Sequence, residues 1–248
     1  MRRKRLILFM LLIVLIFCGT ISGMLYFGIL KFNNPSTEEY PVRGVDISSY
    51  QGDIDWIVLG KQDIQFAFIK ATEGSSFVDP NFSKNYSESQ NTDFRIGAYH
   101  FFSFDSGGTT QAQNFINNVY KIENMLPPVV DFEFYGDKRK NPPETQSVRI
   151  ELNILLNELE EQYHVKPIIY ATEETYNLYL SGYYELYDIW IRNVITKPKP
   201  LHNQSWTFWQ YTDRERLEGY RGEEYYIDMN VFNGSSEEFS MYGKNANN

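Results

Sequence analysis

Two carboxylates stand two residues apart inside an apolar run, PPVVDFEFYG at residues 127–136. Along a strand, residues i and i+2 share a face. Asp131 and Glu133 therefore point the same way as Val129, while Val130, Phe132 and Phe134 point the other way. Crowded acids repel, so at least one must keep its proton above the ordinary carboxylate range. Such an acid can protonate a leaving oxygen while an ionised neighbour stabilises positive charge. Glycoside hydrolysis needs that division of labour at its oxocarbenium-like transition state. Two strand positions are about 6.5 Å apart between Cα atoms. That lies between the ranges for nucleophile pairs and water-activating pairs, so the stereochemical outcome stays open.

The same alternation picks out two more acids. In GVDIS, Asp46 faces opposite to Val45 and Ile47. In YIDMNVF, Asp228 and Asn230 face opposite to Ile227, Met229 and Val231. Two other readings compete. A metal site would want ligand spacing, but His100, His164 and His202 are scattered,. Structural ion pairs to Lys70 or Arg192 would account for one acid better than for acids at three strand ends.

Eight short β-rich runs must carry these residues: 43–49, 66–74, 95–102, 127–134, 166–174, 188–194, 206–213 and 226–232,. Helical stretches are expected at 80–92, with Pro80 first and Asp79 as cap, at 109–126 and at 143–163,. In the last of these Val148, Leu152, Leu155, Leu156 and Leu159 share one face,. Strands alternating with helices predict a parallel sheet, and eight of them an α/β, TIM-like barrel with its full set of helices only over the first half. Strands one and eight then close the barrel side by side. Acids from strands one, four and eight meet at the mouth where barrel enzymes carry their chemistry.

A chain of 248 residues suffices for one large core,. Aromatics make up 17% of it, which suits a ring-lined carbohydrate or peptide groove,. MRRKR precedes residues 6–30, which hold no charged side chain. At about 1.5 Å per residue a helix there crosses a ~30 Å hydrocarbon core. The basic flank predicts a cytoplasmic N-terminus and an exported remainder, a single-pass protein of the cell membrane. A cleaved signal peptide competes, but its apolar region would end after about 7–15 residues. Lipid modification of Cys18 is a third reading, disfavoured by the bulky Phe17 before it. Residues 1–31 form the flank and anchor, 32–41 a short tether, 42–236 the barrel and 237–248 a frayed tail. Beyond residue 31 the chain carries 18 basic and 32 acidic side chains, which argues against nucleic-acid binding,. A monomer with no cofactor and no metal is expected.

The segments GVDISSYQGDIDW, FAFIKATEG, GAYHFF, PPVVDFEF, PIIYAT and FWQYTD followed by IDMNVFNG resemble glycoside hydrolase family 25, the Chalaropsis-type lysozymes. The resemblance runs from about residue 42 to 234. It implies an eight-stranded barrel with about five well-formed helices. It also implies N-acetylmuramidase activity on the β-1,4 bond between N-acetylmuramic acid and N-acetylglucosamine in peptidoglycan glycan strands. By position Glu133 corresponds to the general acid, Asp131 to its stabilising neighbour, and Asp46 and Asp228 to the flanking acids. Glu73 ranks below Glu133, because its face on the second strand is ambiguous. The substrate's own N-acetyl group is a candidate nucleophile in such DxE enzymes, with Asp131 orienting it. Three features depart from the family pattern. Asp63 stands where glycine is usual, IWIRNV replaces a more aromatic segment, and the exported portion is strongly acidic.

Tyr99, Phe101, Tyr170 and Trp209, at strand ends, are candidates to stack on sugar faces, and Gln210 to bond hydroxyls. Lys70 is a candidate to neutralise an inward acid such as Asp46. His100 reads as a hydrogen-bonded core residue. A chitinase-like glycosidase is the rival enzyme. A sugar-binding module without catalysis, or a structural partner in a wall-processing machine, are the rival classes.

Overall fold

Eight strands close on one another in the computed structural model, which describes residues 2–199, 202 and 204–244. They are β1 (Arg43–Ile47), β2 (Phe66–Glu73), β3 (Arg95–Phe101), β4 (Val129–Phe132), β5 (Ile168–Thr172), β6 (Ile189–Arg192), β7 (Phe208–Glu215) and β8 (Ile227–Phe232). Neighbours from β1 to β7 pair in parallel. β8 departs from the all-parallel expectation: it is antiparallel to both β7 and β1. A parallel crossover takes a dozen or more residues. Residues 216–226 are fewer, and part of them is spent on a two-residue strand, Tyr220–Arg221, paired with Asp53–Ile54. The reversal has a functional consequence. Asp228 lies near the start of β8, and an antiparallel strand brings that start to the C-terminal end of β1, opposite Asp46. A parallel eighth strand would have left it at the far end of the barrel.

Alternation sorts the side chains as the pleat requires. Phe66, Phe68, Val129, Ile168, Trp190, Phe208 and Phe232 fill the interior. Val45, Ile47, Ile69, Val130, Phe132, Ile169 and Ile191 belong to the outer layer that packs on the helices. Helix α1 (Arg2–Tyr26) precedes the barrel, α2 (Trp56–Leu59) is a single turn, and α3 (Phe82–Ser89), α4 (Gly108–Asn118) and α5 (Thr145–Tyr163) cover the first half. α6 (Glu173–Thr175) runs directly into a π-helical turn, Tyr176–Leu180. α5 buries Val148, Leu152, Leu155, Leu156 and Leu159, as its spacing predicts.

Several boundaries differ from the sequence reading. α3 starts two residues after Pro80, and Asn81, not Asp79, occupies its N-cap. Asp79 instead accepts the amides of Ser49 and Asn81, both at 2.9 Å. α4 stops at Asn118, where Val119 turns extended and its carbonyl accepts the Tyr163 hydroxyl at 2.6 Å. The segment expected to fray forms α7 (Ser236–Met241), started by a Ser235/Glu238 capping box. Its Phe239 plugs the lower end of the interior against Phe66 and Phe232. The last residues of that expected tail, 245–248, lie outside the described residues. Asp63 adopts φ +50°, the left-handed turn for which glycine is the usual choice,.

The N-terminal helix has no buried residues and is long and apolar enough to cross a membrane. It ends at Tyr26, before the close of the apolar run, because Gly28 takes φ +64°. The segment that follows is bound to the barrel. Asn33 donates to the carbonyls of Asn193 and Tyr211 at 3.0 and 3.2 Å, and Tyr40 packs on Trp206 and Trp209.

Candidate active site

The C-terminal ends of the barrel strands frame a cleft of about 900 Å³ whose walls include Asp46, Tyr99, Asp131, Glu133 and Asp228. A deeper pocket of about 350 Å³ continues beneath it, with the same five residues joined by Tyr170, Arg192 and Gln210. The four acids singled out by alternation therefore share one hollow. Asp131 is the last inward residue of β4, level with Phe101 on β3 and Tyr170 on β5. Glu133 comes just after the strand ends.

A buried chain of hydrogen bonds fixes Asp46. Trp190 donates its indole N–H to Asn230 Oδ1 at 2.8 Å, and Asn230 Nδ2 donates to Asp46 Oδ1 at 2.6 Å. From the other side the Tyr170 hydroxyl donates to Gln210 Oε1 at 3.0 Å, and Gln210 Nε2 donates to both Asp46 oxygens at 3.1 Å. Burial raises Asp46 above the usual carboxylate range, against the pull of the Asn230 and Gln210 amides. Burial also lifts Asp228 well above that range, and the charge of Asp46 adds to the effect. The amides favour the ionised form of Asp46, so Asp228 is the member that keeps a proton.

Asp131 is likewise held well above its ordinary value, first by burial and then by the charge of Glu133. Glu133 is raised by burial, with Arg192 pulling it down and Asp46 pushing it up. Asp131 Oδ1 is buried and has no hydrogen-bond partner among the described residues. An unsatisfied buried acceptor costs about 1–3 kcal/mol, a cost that a donor brought by a ligand would relieve.

The remaining candidates divide. Tyr99 lines both the cleft and the pocket below it. Phe101 lines the cleft, and the Lys70 ammonium sits 5.0 Å from its ring centre. Lys70 does not pair with Asp46: it bridges to Glu73 Oε2 at 2.7 Å. Ala71 forms a bulge against β3, since Lys70 faces Tyr99 while Thr72 faces His100. The bulge resets the alternation and brings Glu73 to the side of Lys70. Tyr170 and Gln210 line the deeper pocket but are only 6% and 3% exposed, and the hydrogen bonds between them and from Gln210 hold Asp46. Trp209 is not in the hollow at all. It follows the inward Phe208, so its ring lies in the outer layer with Tyr40 and Trp206, and its indole N–H donates to the Asn193 carbonyl at 2.8 Å. Trp209→Phe, which removes that bond, should cost about 0.5–1.5 kcal/mol of stability and leave KM for glycan unchanged. A tenfold rise in KM at unchanged stability would put the ring back in the groove.

Arg192 pairs with Asp213 at 2.8 Å and reaches the deeper pocket beside Glu133. Alternation places Asn230 beside Asp228 but gives it no role, and Trp190, on the face of Arg192, is a site residue that sequence reading misses. His100 is a core residue, bonded to Thr72 and Gln111, and its burial lowers its pKa to about 4. Among the described residues no group of three or more His, Cys, Asp or Glu is arranged to hold a metal ion.

The model of glycosyl hydrolases family 25 matches residues 45–220. The structure is similar to that of a family 25 glycosyl hydrolase from Bacillus anthracis, with a TM-score of 0.81 and 53% identity over 87% of this chain and 98% of that one. The sequence is 34% identical to the protein YegX of Escherichia coli K12 over 82% of this chain and 74% of that protein. It is 30% identical to Lysozyme M1 of Streptomyces globisporus over 83% of this chain and 72% of that protein.

Proposed function

Because the chain belongs to glycosyl hydrolases family 25, the lysozyme and muramidase family that hydrolyses peptidoglycan, we propose that Glu133 is its general acid and Asp131 the partner that stabilises the reacting sugar. The observation that carries this reading is the unpartnered Asp131 Oδ1 beside a second raised carboxyl. Before substrate enters, Asp131 and Glu133 hold one proton between them, since burial and mutual repulsion oppose a double charge. An N-acetyl sugar brings an amide N–H to Asp131 Oδ1. A hydrogen bond to the charged form favours that form, so binding sends the shared proton to Glu133. Glu133 then protonates the glycosidic oxygen as the C–O bond breaks. The acetamido oxygen attacks the anomeric carbon, and Asp131 offsets the positive charge that develops on the acetamido group. Water opens the resulting ring with Glu133, now ionised, taking its proton. Asp46, locked by Asn230 and Gln210, keeps a negative charge nearby that raises both reacting carboxyls.

The substrate is proposed to be the bond between N-acetylmuramic acid and N-acetylglucosamine, cut by a monomer. α1 is proposed to remain as an uncleaved anchor, with the barrel outside the cell. Supplying the purified protein with peptidoglycan and with chitin tests the substrate. Reducing ends should appear from peptidoglycan and not from chitin. Equal rates on both would favour the chitinase-like reading, and tight wall binding without cleavage a sugar-binding module.

The second pair of acids, Asp46 and Asp228, sets a stability signature. The folded chain keeps a proton on Asp228 that the unfolded chain releases near pH 4,. Stability therefore falls as pH rises from about 4 toward the folded pKa. Asp228→Asn removes that loss. Its melting temperature should decline less between pH 5 and 8 than that of the unaltered protein, and equal declines would contradict the assignment of the proton.

A further inference from the structure

The cleft that holds the acids has the end of the anchor helix in its rim. Tyr26 and Phe27 line the same cleft as Asp46 and Glu133. Arg214 Nη1 donates to the Tyr26 carbonyl at 2.7 Å, and the Tyr226 hydroxyl donates to the same oxygen at 3.3 Å. Gly28 follows at φ +64°, and a Cβ there would lie 2.6 Å from the Arg214 carbonyl oxygen. Only glycine permits that turn at that approach. Lys31 pairs with Glu215, and Asn33 is bonded into the wall. Fully extended, residues 28–42 would span about 50 Å. Bound as they are, they give the barrel almost no reach.

From Leu6 to Leu25 the helix rises about 30 Å, the thickness of a hydrocarbon core. Tyr26 then falls at the outer headgroups, and the barrel residues touching it fall there too. The guanidinium of Arg214 lies 5.5 Å from the Tyr26 ring centre, and the residues beside these contacts fit that level too. Tyr225 is 64% exposed, and the guanidinium of Arg216 lies 4.2 Å from its ring centre. Exposed aromatics beside arginines are the side chains that favour a membrane interface.

Resting on the retained anchor and the muramidase reading above, we propose that residues 26–33 are a clamp, not a tether. The clamp seats the β7–β8 rim of the cleft on the outer leaflet of the membrane that holds α1. The seam between β8 and β1 lies across the barrel from β4 and β5. The groove continues past Glu133 on that far side, toward Glu173 and Asn193. A glycan bound along it has one end directed at the bilayer. The substrate class is therefore glycan held at the membrane surface by one end, in preference to strands deep in the wall.

The test uses the full chain, with Cys18→Ser, reconstituted in phosphatidylglycerol/phosphatidylethanolamine vesicles carrying headgroup nitroxide lipids. A fluorophore is placed at Glu223→Cys, on the rim, or at Glu123→Cys, beyond the opposite end of the barrel. Quenching at 223 should exceed that at 123 at least fivefold. Gly28→Val, or a Gly/Ser insertion of about 20 residues after Ile29, should bring the two within twofold. Equal quenching in the unaltered chain, or a difference that survives both changes, overturns the clamp. The same vesicles should cleave lipid-attached glycan at least tenfold faster than bead-fixed glycan, and the insertion should remove that preference. Equal rates before insertion overturn the substrate class. A soluble glycan oligomer reads the catalytic assignment separately. If it is not cleaved while the quenching difference holds, the muramidase reading fails and the seating stands.

Discussion

Glu133→Gln is expected to lower the rate of glycan cleavage about 100- to 10,000-fold, the range a positioned general acid supplies. The amide has the same shape, so the cleft and the melting temperature should be preserved, and glycan should still bind. Glutamine has no proton to give the leaving oxygen, and none of the other raised acids can replace it. Asp131 is needed in its ionised form at the acetamido group, Asp46 is pinned by two amides, and Asp228 faces Asp46 across the β1–β8 pairing. The pH profile carries the same information. Activity requires protonated Glu133, and its pKa is raised. Activity should therefore persist above the ordinary carboxylate range and fall as pH rises through the raised value. That alkaline limb should vanish from the residual activity of the variant. A folded Glu133→Gln protein that cleaves at the full rate would remove Glu133 from the chemistry.

Asp131→Asn should reduce kcat about 100- to 1,000-fold, comparable to losing one preorganised electrostatic group. The reasoning differs from that for Glu133. Oδ1 of Asp131 is a buried acceptor with no donor among the described residues. Asparagine can still present an oxygen there, so binding of an N-acetyl sugar changes little and KM moves within a few-fold. Its neutral amide cannot offset charge on the acetamido group, nor drive the shared proton to Glu133. The loss should therefore sit in kcat. In the substrate complex, where Asp131 is the ionised member of the pair, its loss should also lower the Glu133 pKa that sets the alkaline limb of kcat. A loss confined to KM, with the limb unmoved, would make Asp131 a simple binding residue.

The convergence of the acids was legible in sequence because it depends only on the period of a strand. Asp46, Asp131 and Asp228 each alternate with apolar neighbours, and the pleat delivers all three inward. The reversal of β8 was not legible in the alternation, which is the same in either direction. It decides whether Asp228 reaches the mouth or the opposite end. Counting by twos also fails across a bulge, and the unpaired Ala71, which breaks the register, puts Glu73 on a face that alternation alone does not predict. Trp209 was misplaced because its composition suggested a sugar platform, while its position one residue after Phe208 turns it outward. Gln210 was given to the substrate because a lone side chain does not reveal its partners. Buried beside a carboxylate, it donates to both oxygens of Asp46. The segment at 32–41 looked like a linker for its Asn, Pro, Ser and Glu content, but Asn33 and Tyr40 found sites on the barrel wall.

The most direct test of the acid pair and its substrate is the chemical identity of the ends it creates. Peptidoglycan is digested with the full chain, reduced with borohydride and analysed by mass spectrometry, alongside a digest with Glu133→Gln. The account predicts fragments ending in reduced N-acetylmuramic acid from the unaltered protein and almost none from the variant. Fragments ending in reduced N-acetylglucosamine, or equal release by both proteins, would contradict it.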